Sequence, residues 1–168
     1  MAGFIDIACN FTHPSFKNNL DQVISDAKAL DVKKFVLLCA SLEDLQPIRF
    51  IQSMNPSQFF ITAGIHPHHA NEILQLNEMP LIEKLSSIKP DAIGETGLDY
   101  FRNISPPEIQ RESFEMHIEA AKELKKPLYL HQREAHDDFI SILKNMSNSL
   151  PSFVVHCFTG TQEQLDAY

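Results

Sequence analysis

A chain of 168 residues with 43% hydrophobic residues can bury one ordinary core, so one domain spanning residues 1–168 is expected. Its 14 basic and 22 acidic residues give a net charge of -8, and Lys33-Lys34 and Lys125-Lys126 are pairs rather than runs, which excludes non-specific electrostatic attachment to nucleic acid or membrane. No apolar run approaches the ~20 residues of a membrane span and no basic-then-apolar leader is visible, so a cytoplasmic protein is expected.

Cys9, Cys39 and Cys157 are odd in number, far apart and without a CxxC pair. They suit neither a disulfide framework nor a zinc knuckle and read as buried small hydrophobes.

Phe4 to Ala8 reads as a first strand that ends before Pro14. Phe16, Leu20, Val23, Ile24, Ala27 and Leu30 then share one helical face. Phe35 to Ala40 is a second, fully apolar strand. Ser41 and Asp44 have capping-box spacing and open a helix towards Met54, with Pro47 in its first turn or two and a kink expected there. Phe59 to Ile65 forms a third strand ending in His66-Pro67-His68-His69, and a helix over Leu81 to Ser87 follows. Ala92 to Gly94 is the fourth strand. The turn after it leads to Ser105-Pro106-Pro107-Glu108, where Ser105 is placed to cap and Glu108 to close the box. Phe114, Ile118 and Ala121 mark that helix. Pro127 to Leu130 is the fifth strand; Ala135, Phe139, Ile142, Leu143 and Met146 mark the fifth helix. Phe153 to Val155 is the sixth strand, and a last helix opens at Thr161.

Strand starts near Phe4, Phe35, Phe59, Ala92, Pro127 and Phe153 give a repeat of roughly 30 residues, the size of a βα unit. Strict alternation with apolar strands means a parallel sheet. An open doubly wound sheet places its ligand at one or two strand ends beside an order reversal, whereas here polar residues decorate the ends of strands one, three, four, five and six. The expected fold is therefore α/β, a TIM-type (β/α) barrel of parallel strands. It is incomplete, because eight units need about 250 residues and this chain holds about six.

The chemistry is expected at those strand ends. His66, Glu95, His131 and His156 each follow a short apolar run, and imidazole with carboxylate is a donor set that divalent metal ions accept. Asp99, four residues past Glu95, either holds a ligand in place or satisfies backbone amides in an Asx-type turn. Arg133 either aims its fork at phosphate oxygens or pairs with Glu134 or another acid. His68 and His69 read as solvated loop residues, and His13, His117 and His136 as ordinary ones. Phe11, Tyr100, Phe101 and Phe158 stand where a base could stack, although most such aromatics pack loops. Neither Gly64 nor Gly94 with Gly97 matches a phosphate-cradling fingerprint, so no organic cofactor is expected.

Five ordered blocks carry a resemblance: Asp6-Ile7-Ala8-Cys9-Asn10-Phe11-Thr12, Ala63-Gly64-Ile65-His66-Pro67-His68, Ile93-Gly94-Glu95-Thr96-Gly97-Leu98-Asp99-Tyr100, Leu130-His131-Gln132-Arg133-Glu134-Ala135-His136 and Val155-His156-Cys157-Phe158-Thr159-Gly160. Together they resemble the TatD family of metal-dependent deoxyribonucleases. The resemblance implies a TIM barrel of the metallo-dependent hydrolase type and 3′-5′ exonuclease hydrolysis of DNA, with single strands or 3′ ends as substrate. It also implies divalent metal ions (Mg, Mn or Zn) held by Glu95, His131 and His156. His66 then faces the substrate or a metal, and His66 with Arg133 steadies the phosphate. Two features depart from the family pattern. The first strand lacks the Asp-x-His-x-His that many members carry, and the chain ends before the family's last aspartate, which marks it as C-terminally truncated. Its first and sixth strands are expected to expose open edges prone to pairing with another chain. The alternatives are a metallo-hydrolase of the same barrel acting on another ester or amide, and a non-catalytic truncated form.

Overall fold

Alternating apolar runs and amphipathic segments fold, in a computed structural model that describes residues 3–76 and 79–168, into one six-stranded sheet flanked by helices. The strands are β1 (Phe4–Cys9), β2 (Val32–Leu37), β3 (Phe59–Ala63), β4 (Ala92–Asp99), β5 (Leu128–Arg133) and β6 (Phe153–His156). Between and after them lie α1 (Leu20–Ala29), α2 (Leu45–Met54), α3 (Leu81–Ser87), α4 (Pro107–Leu124), α5 (His136–Asn145) and α6 (Gln162–Asp166).

The strand order is β1-β2-β3-β4-β5-β6, with every neighbouring pair parallel. A doubly wound sheet would reverse its order somewhere, so this winding runs in one direction only, as a barrel requires. The sheet also curls. Strands four places apart in a flat sheet stand roughly 19 Å apart at ~4.8 Å per step, yet the Tyr129 hydroxyl on β5 donates to the Ile7 carbonyl on β1 at 2.8 Å.

The core lies between the sheet and its helices. Phe35, Leu37, Ile61, Ile93 and Leu128 from the strands and Ile48, Leu85, Phe114, Ile118 and Phe139 from the helices are fully buried. Phe114 of α4 stacks on Phe139 of α5 with ring centres 5.1 Å apart. Ser41 and Asp44 form the capping box that their spacing predicts. Pro47 is the third residue of α2, in the first turn, where a backbone N–H has no partner inside the helix.

Burial fails at the two ends of the sheet. On β1, Phe4 is 69% and Ile5 55% exposed, and on β6 Val154 is 41% exposed, because no further strand or helix among the described residues lies beyond them.

Three local expectations are corrected. Cys157 is exposed, unlike Cys9 and Cys39, since it follows the end strand β6 with nothing packed over it. Ser105 does not cap α4, which starts at Pro107 without a side-chain cap; its hydroxyl is drawn instead to the His68 carbonyl at 3.1 Å. The segment after His66 is not an open loop but a 3-10 helix, Pro67–Gln75, opened by a proline at its first position.

Candidate metal centre

The site is built from the C-terminal ends of β3 to β6. The fourth strand does not stop at Gly94, where two nearby glycines suggest a turn, but continues to Asp99. Its register against β5 slips by one, with Gly94 opposite Tyr129 and Thr96 opposite Leu130, so Glu95 is the extra residue of a β-bulge. Bulges re-aim a side chain at the cost of a ladder bond. Here the freed Glu95 N–H is satisfied by the Cys39 carbonyl at 3.1 Å. Gly94 and Gly97 have φ of +142 and +137, and a Cβ on either would collide with the carbonyl oxygen of Tyr129 or His131. Only glycine allows β5 that close.

This bulge delivers the Glu95 carboxylate into a ring of imidazoles. One oxygen, Oε1, lies 2.5 Å from His156 Nε2, 3.2 Å from His131 Nδ1 and 3.5 Å from His66 Nε2. Donor atoms of His66, Glu95 and His131 all fall within 4.8 Å of one another. Burial alone would push the Glu95 carboxyl up, but the surrounding His131, His156 and His66 favour the anion and hold it below the usual carboxylate range. Burial pushes the His66 imidazole down to about 3, against the pull of Glu95. At neutral pH the carboxylate is therefore ionised and His66 uncharged.

Hydrogen-bond partners assign the tautomers. His66 Nδ1 accepts the His68 N–H at 3.1 Å, which leaves its proton on Nε2, pointing into the cluster as a donor. His131 Nε2 lies 3.3 Å from Asp99 Oδ2 and donates to that carboxylate, while its Nδ1, 3.2 Å from Glu95 Oε1, is buried without a well-aligned hydrogen bond. The Nδ1 of His156 is also buried and unpartnered, on the other side of the ring from the Nε2 that meets Glu95. An unpartnered ring nitrogen buried beside a carboxylate is costly, and a cation held between His131 Nδ1 and Glu95 would remove that cost, so the donor set fits a divalent metal ion.

Asp99 combines both roles open to it in the sequence. Its Oδ1 accepts the Arg102 N–H at 2.8 Å in an Asx turn, while Oδ2 meets His68 Nε2 at 2.8 Å and His131 Nε2 at 3.3 Å. Burial raises the Asp99 carboxyl, but the Arg102 amide, His68 and His131 outweigh it and hold it low. Arg133 pairs with no acid among the described residues; its guanidinium lies 3.8 Å above the Phe101 ring, beside a groove of about 570 Å³ that it helps to line. Phe11 is buried, and Tyr100 bonds Asp138 at 2.7 Å. Phe158 packs on Tyr168.

Sequence reasoning set aside His68, which the structure ties to Asp99. The His66-Pro67-His68 spacing held the signal, since a proline-started 3-10 turn returns the second imidazole towards the site. It also read His117 as ordinary and passed over Gln110, polar residues on the inner face of α4 whose burial beside Phe114 and Ile118 betrays them.

The sequence matches the family model described as TatD related DNase over residues 5–168. It is 40% identical over 162 residues to the 3'-5' ssDNA/RNA exonuclease TatD of Erwinia billingiae, covering 96% of this chain and 62% of that protein. Against the protein of the same name from Edwardsiella piscicida it is 35% identical, covering 97% and 63%. Among solved structures, the TatD homologue YjjV of Escherichia coli K12 superposes with a TM-score of 0.81 at 27% identity over 98% of this chain and 63% of that one. A TatD family hydrolase from Entamoeba histolytica gives 0.86 at 25% identity, over 98% and 61%. The chain thus spans a little over three fifths of the length of these relatives, and its curled sheet is an incomplete TIM-type barrel.

Proposed function

This chain belongs to the TatD-related DNase family, and on that premise we propose that it carries the metal centre of a 3′-5′ exonuclease acting on single-stranded DNA. The observation that carries the reading is the buried Nδ1 of His131, without a hydrogen bond, set 3.2 Å from the Glu95 carboxylate. Glu95, His131 and His156 would hold the ion; bound there, it supplies charge to polarise a phosphoryl oxygen and to lower the pKa of an attacking water. His66 presents its Nε2 proton to a phosphate oxygen. Asp99 fixes the ring of His131 so that Nδ1 faces inward. Arg133, spread on Phe101 with its donors unclaimed, steadies a phosphate of the strand. A chain of net charge -8 draws no strand by its surface, so recognition is local to this end of the sheet. The imidazole-rich set suits zinc better than magnesium.

A 5′-labelled single-stranded DNA oligonucleotide, with an RNA counterpart, incubated with the chain and manganese, zinc or magnesium is expected to shorten from its 3′ end, and to stay intact with chelator. Metal-independent release, or faster hydrolysis of cyclic amides or carboxylic esters than of DNA, would remove the nuclease reading. Metal binding without any turnover would instead mark a non-catalytic form.

No helix among the described residues is long and apolar enough to cross a membrane. The free thiols of Cys9, Cys39 and Cys157 support a reducing, cytoplasmic setting, which cell fractionation reads directly. The open edges of β1 and β6, with Phe4 and Ile5 bare, support self-association of this chain. Sedimentation velocity should show mass rising with concentration, and a strictly monomeric profile would reject the pairing.

A further inference from the structure

Helix α4 carries three polar side chains that its own packing does not need. Ser105, just before it, and Gln110 and His117, within it, are all fully buried; Gln110 bonds to the end of β4, His117 to Ile65 just past β3, and Ser105 to the 3-10 helix that carries His68. Gln110 Oε1 accepts the Asp99 N–H at 2.8 Å, and its Nε2 donates to the carbonyls of Ser105 at 2.7 Å and Asp99 at 3.2 Å. The Ser105 hydroxyl in turn donates to the His68 carbonyl at 3.1 Å, and His68 Nε2 meets Asp99 Oδ2 at 2.8 Å. The circuit Gln110, Ser105, His68, Asp99 therefore closes on itself. Its outlet is Asp99 Oδ2, which also faces His131 Nε2.

Seven residues on from Gln110, two helical turns and so nearly the same face, His117 does the same for β3. Its Nδ1 lies 2.6 Å from the Ser113 carbonyl and carries the proton, so Nε2 accepts the Ile65 N–H at 3.0 Å. Ile65 precedes His66. A methionine at Gln110 would leave the Asp99 N–H without its acceptor, and a leucine at His117 would leave the Ile65 N–H without its own.

We propose that α4 is the positioning template of the metal centre: Gln110, through Asp99, sets the ring of His131, and His117 sets the strand end that carries His66. None of the three touches the ion or the substrate. The inference rests on the metal reading above, and a group that orients a ligand shows itself in ion affinity rather than in folding alone.

The test is manganese titration by calorimetry on the whole chain, stripped of metal, alongside thermal unfolding. Ser105→Ala and Gln110→Met should each weaken manganese binding by roughly 10- to 100-fold, as should His117→Leu, while His117→Gln, whose amide oxygen can still accept from Ile65, should regain much of it. Ser113→Ala is the control, because Ser113 is buried in the same helix and its hydroxyl has no partner; it should leave affinity unchanged. Should Gln110→Met fail to fold, Ser105→Ala decides alone. Variants that bind manganese as tightly as the unaltered chain overturn the template and leave the metal reading standing. An unaltered chain that binds no manganese overturns both.

Discussion

Replacing Glu95 by glutamine should abolish metal-induced stabilisation of this chain and lower the stability of its metal-free fold. Both effects follow from what surrounds the carboxylate. Its Oε1 is the one atom common to His66, His131 and His156, so a neutral amide both removes the anion that balances the ion and puts one carbonyl acceptor and one NH2 donor group where the carboxylate stood. Affinity should fall by at least about 100-fold, the upper end of what even outer partners of a ligand are worth. Without metal the same change removes an anion that the surrounding imidazoles stabilise in the fold, so the metal-free variant should melt somewhat below the unaltered chain. Manganese at a hundred times its dissociation constant adds about 2.7 kcal/mol to a fold that binds it. Melting curves with and without manganese should thus separate for the unaltered chain and coincide for Glu95→Gln. A variant that still shifts by the same amount would mean that Glu95 is not a ligand.

The parts of this structure legible in the sequence are those set by local pattern. The βα period of roughly 30 residues gives the six strands and their parallel sense, and the placing of His66, Glu95, His131 and His156 after apolar runs draws attention to one end of the sheet. What sequence could not show is whether those side chains converge. Glu95 and His156 are 61 residues apart, and His68 and Asp99 are 31 apart; only the lateral order of the strands in the sheet brings them together. The bulge was hidden for a related reason. Gly94 and Gly97 within four residues imitate a turn, because glycine's tolerance of positive φ serves turns and close strand approach alike. It takes the carbonyls of Tyr129 and His131, on a different strand, to decide between them.

Ser105 shows the same limit from the other side. A serine before two prolines and a glutamate is a sound local capping signal, yet the fold places the His68 carbonyl within its reach, and α4 starts without the cap. Local signals state what a residue can do; tertiary contacts select among those options. His68 and Gln110 were therefore invisible as a pair, although each lies at a position that pattern alone describes well.

Acid should unfold this chain along a course to which His117 contributes measurably. Burial pushes the His117 imidazole down to about 4, only partly offset by the Ser113 carbonyl, whereas in the unfolded chain it titrates near 6.5. Because the folded pKa is the lower one, the unfolded state takes up the proton first as pH falls. The stability that His117 supports is therefore intact above about pH 6.5, declines as pH drops, and is fully lost near the folded value of about 4. For one proton the slope is at most about 1.4 kcal/mol per pH unit, so the whole loss is on the order of 3 kcal/mol. His66 titrates in the same sense, and Glu95, held low in the fold, adds a further loss below the ordinary carboxylate range. The contribution of His117 is isolated by difference. Denaturant midpoints measured in chelator from pH 7 to pH 4 should fall steeply for the unaltered chain and less steeply for His117→Leu, which begins lower by about 1–3 kcal/mol because the Ile65 N–H is orphaned. The two curves should converge towards pH 4, where a protonated His117 can no longer accept that bond. Curves that run parallel throughout would show that His117 stays neutral in both states or is charged in both, and its place beneath the His66 strand end would then carry no acid sensitivity.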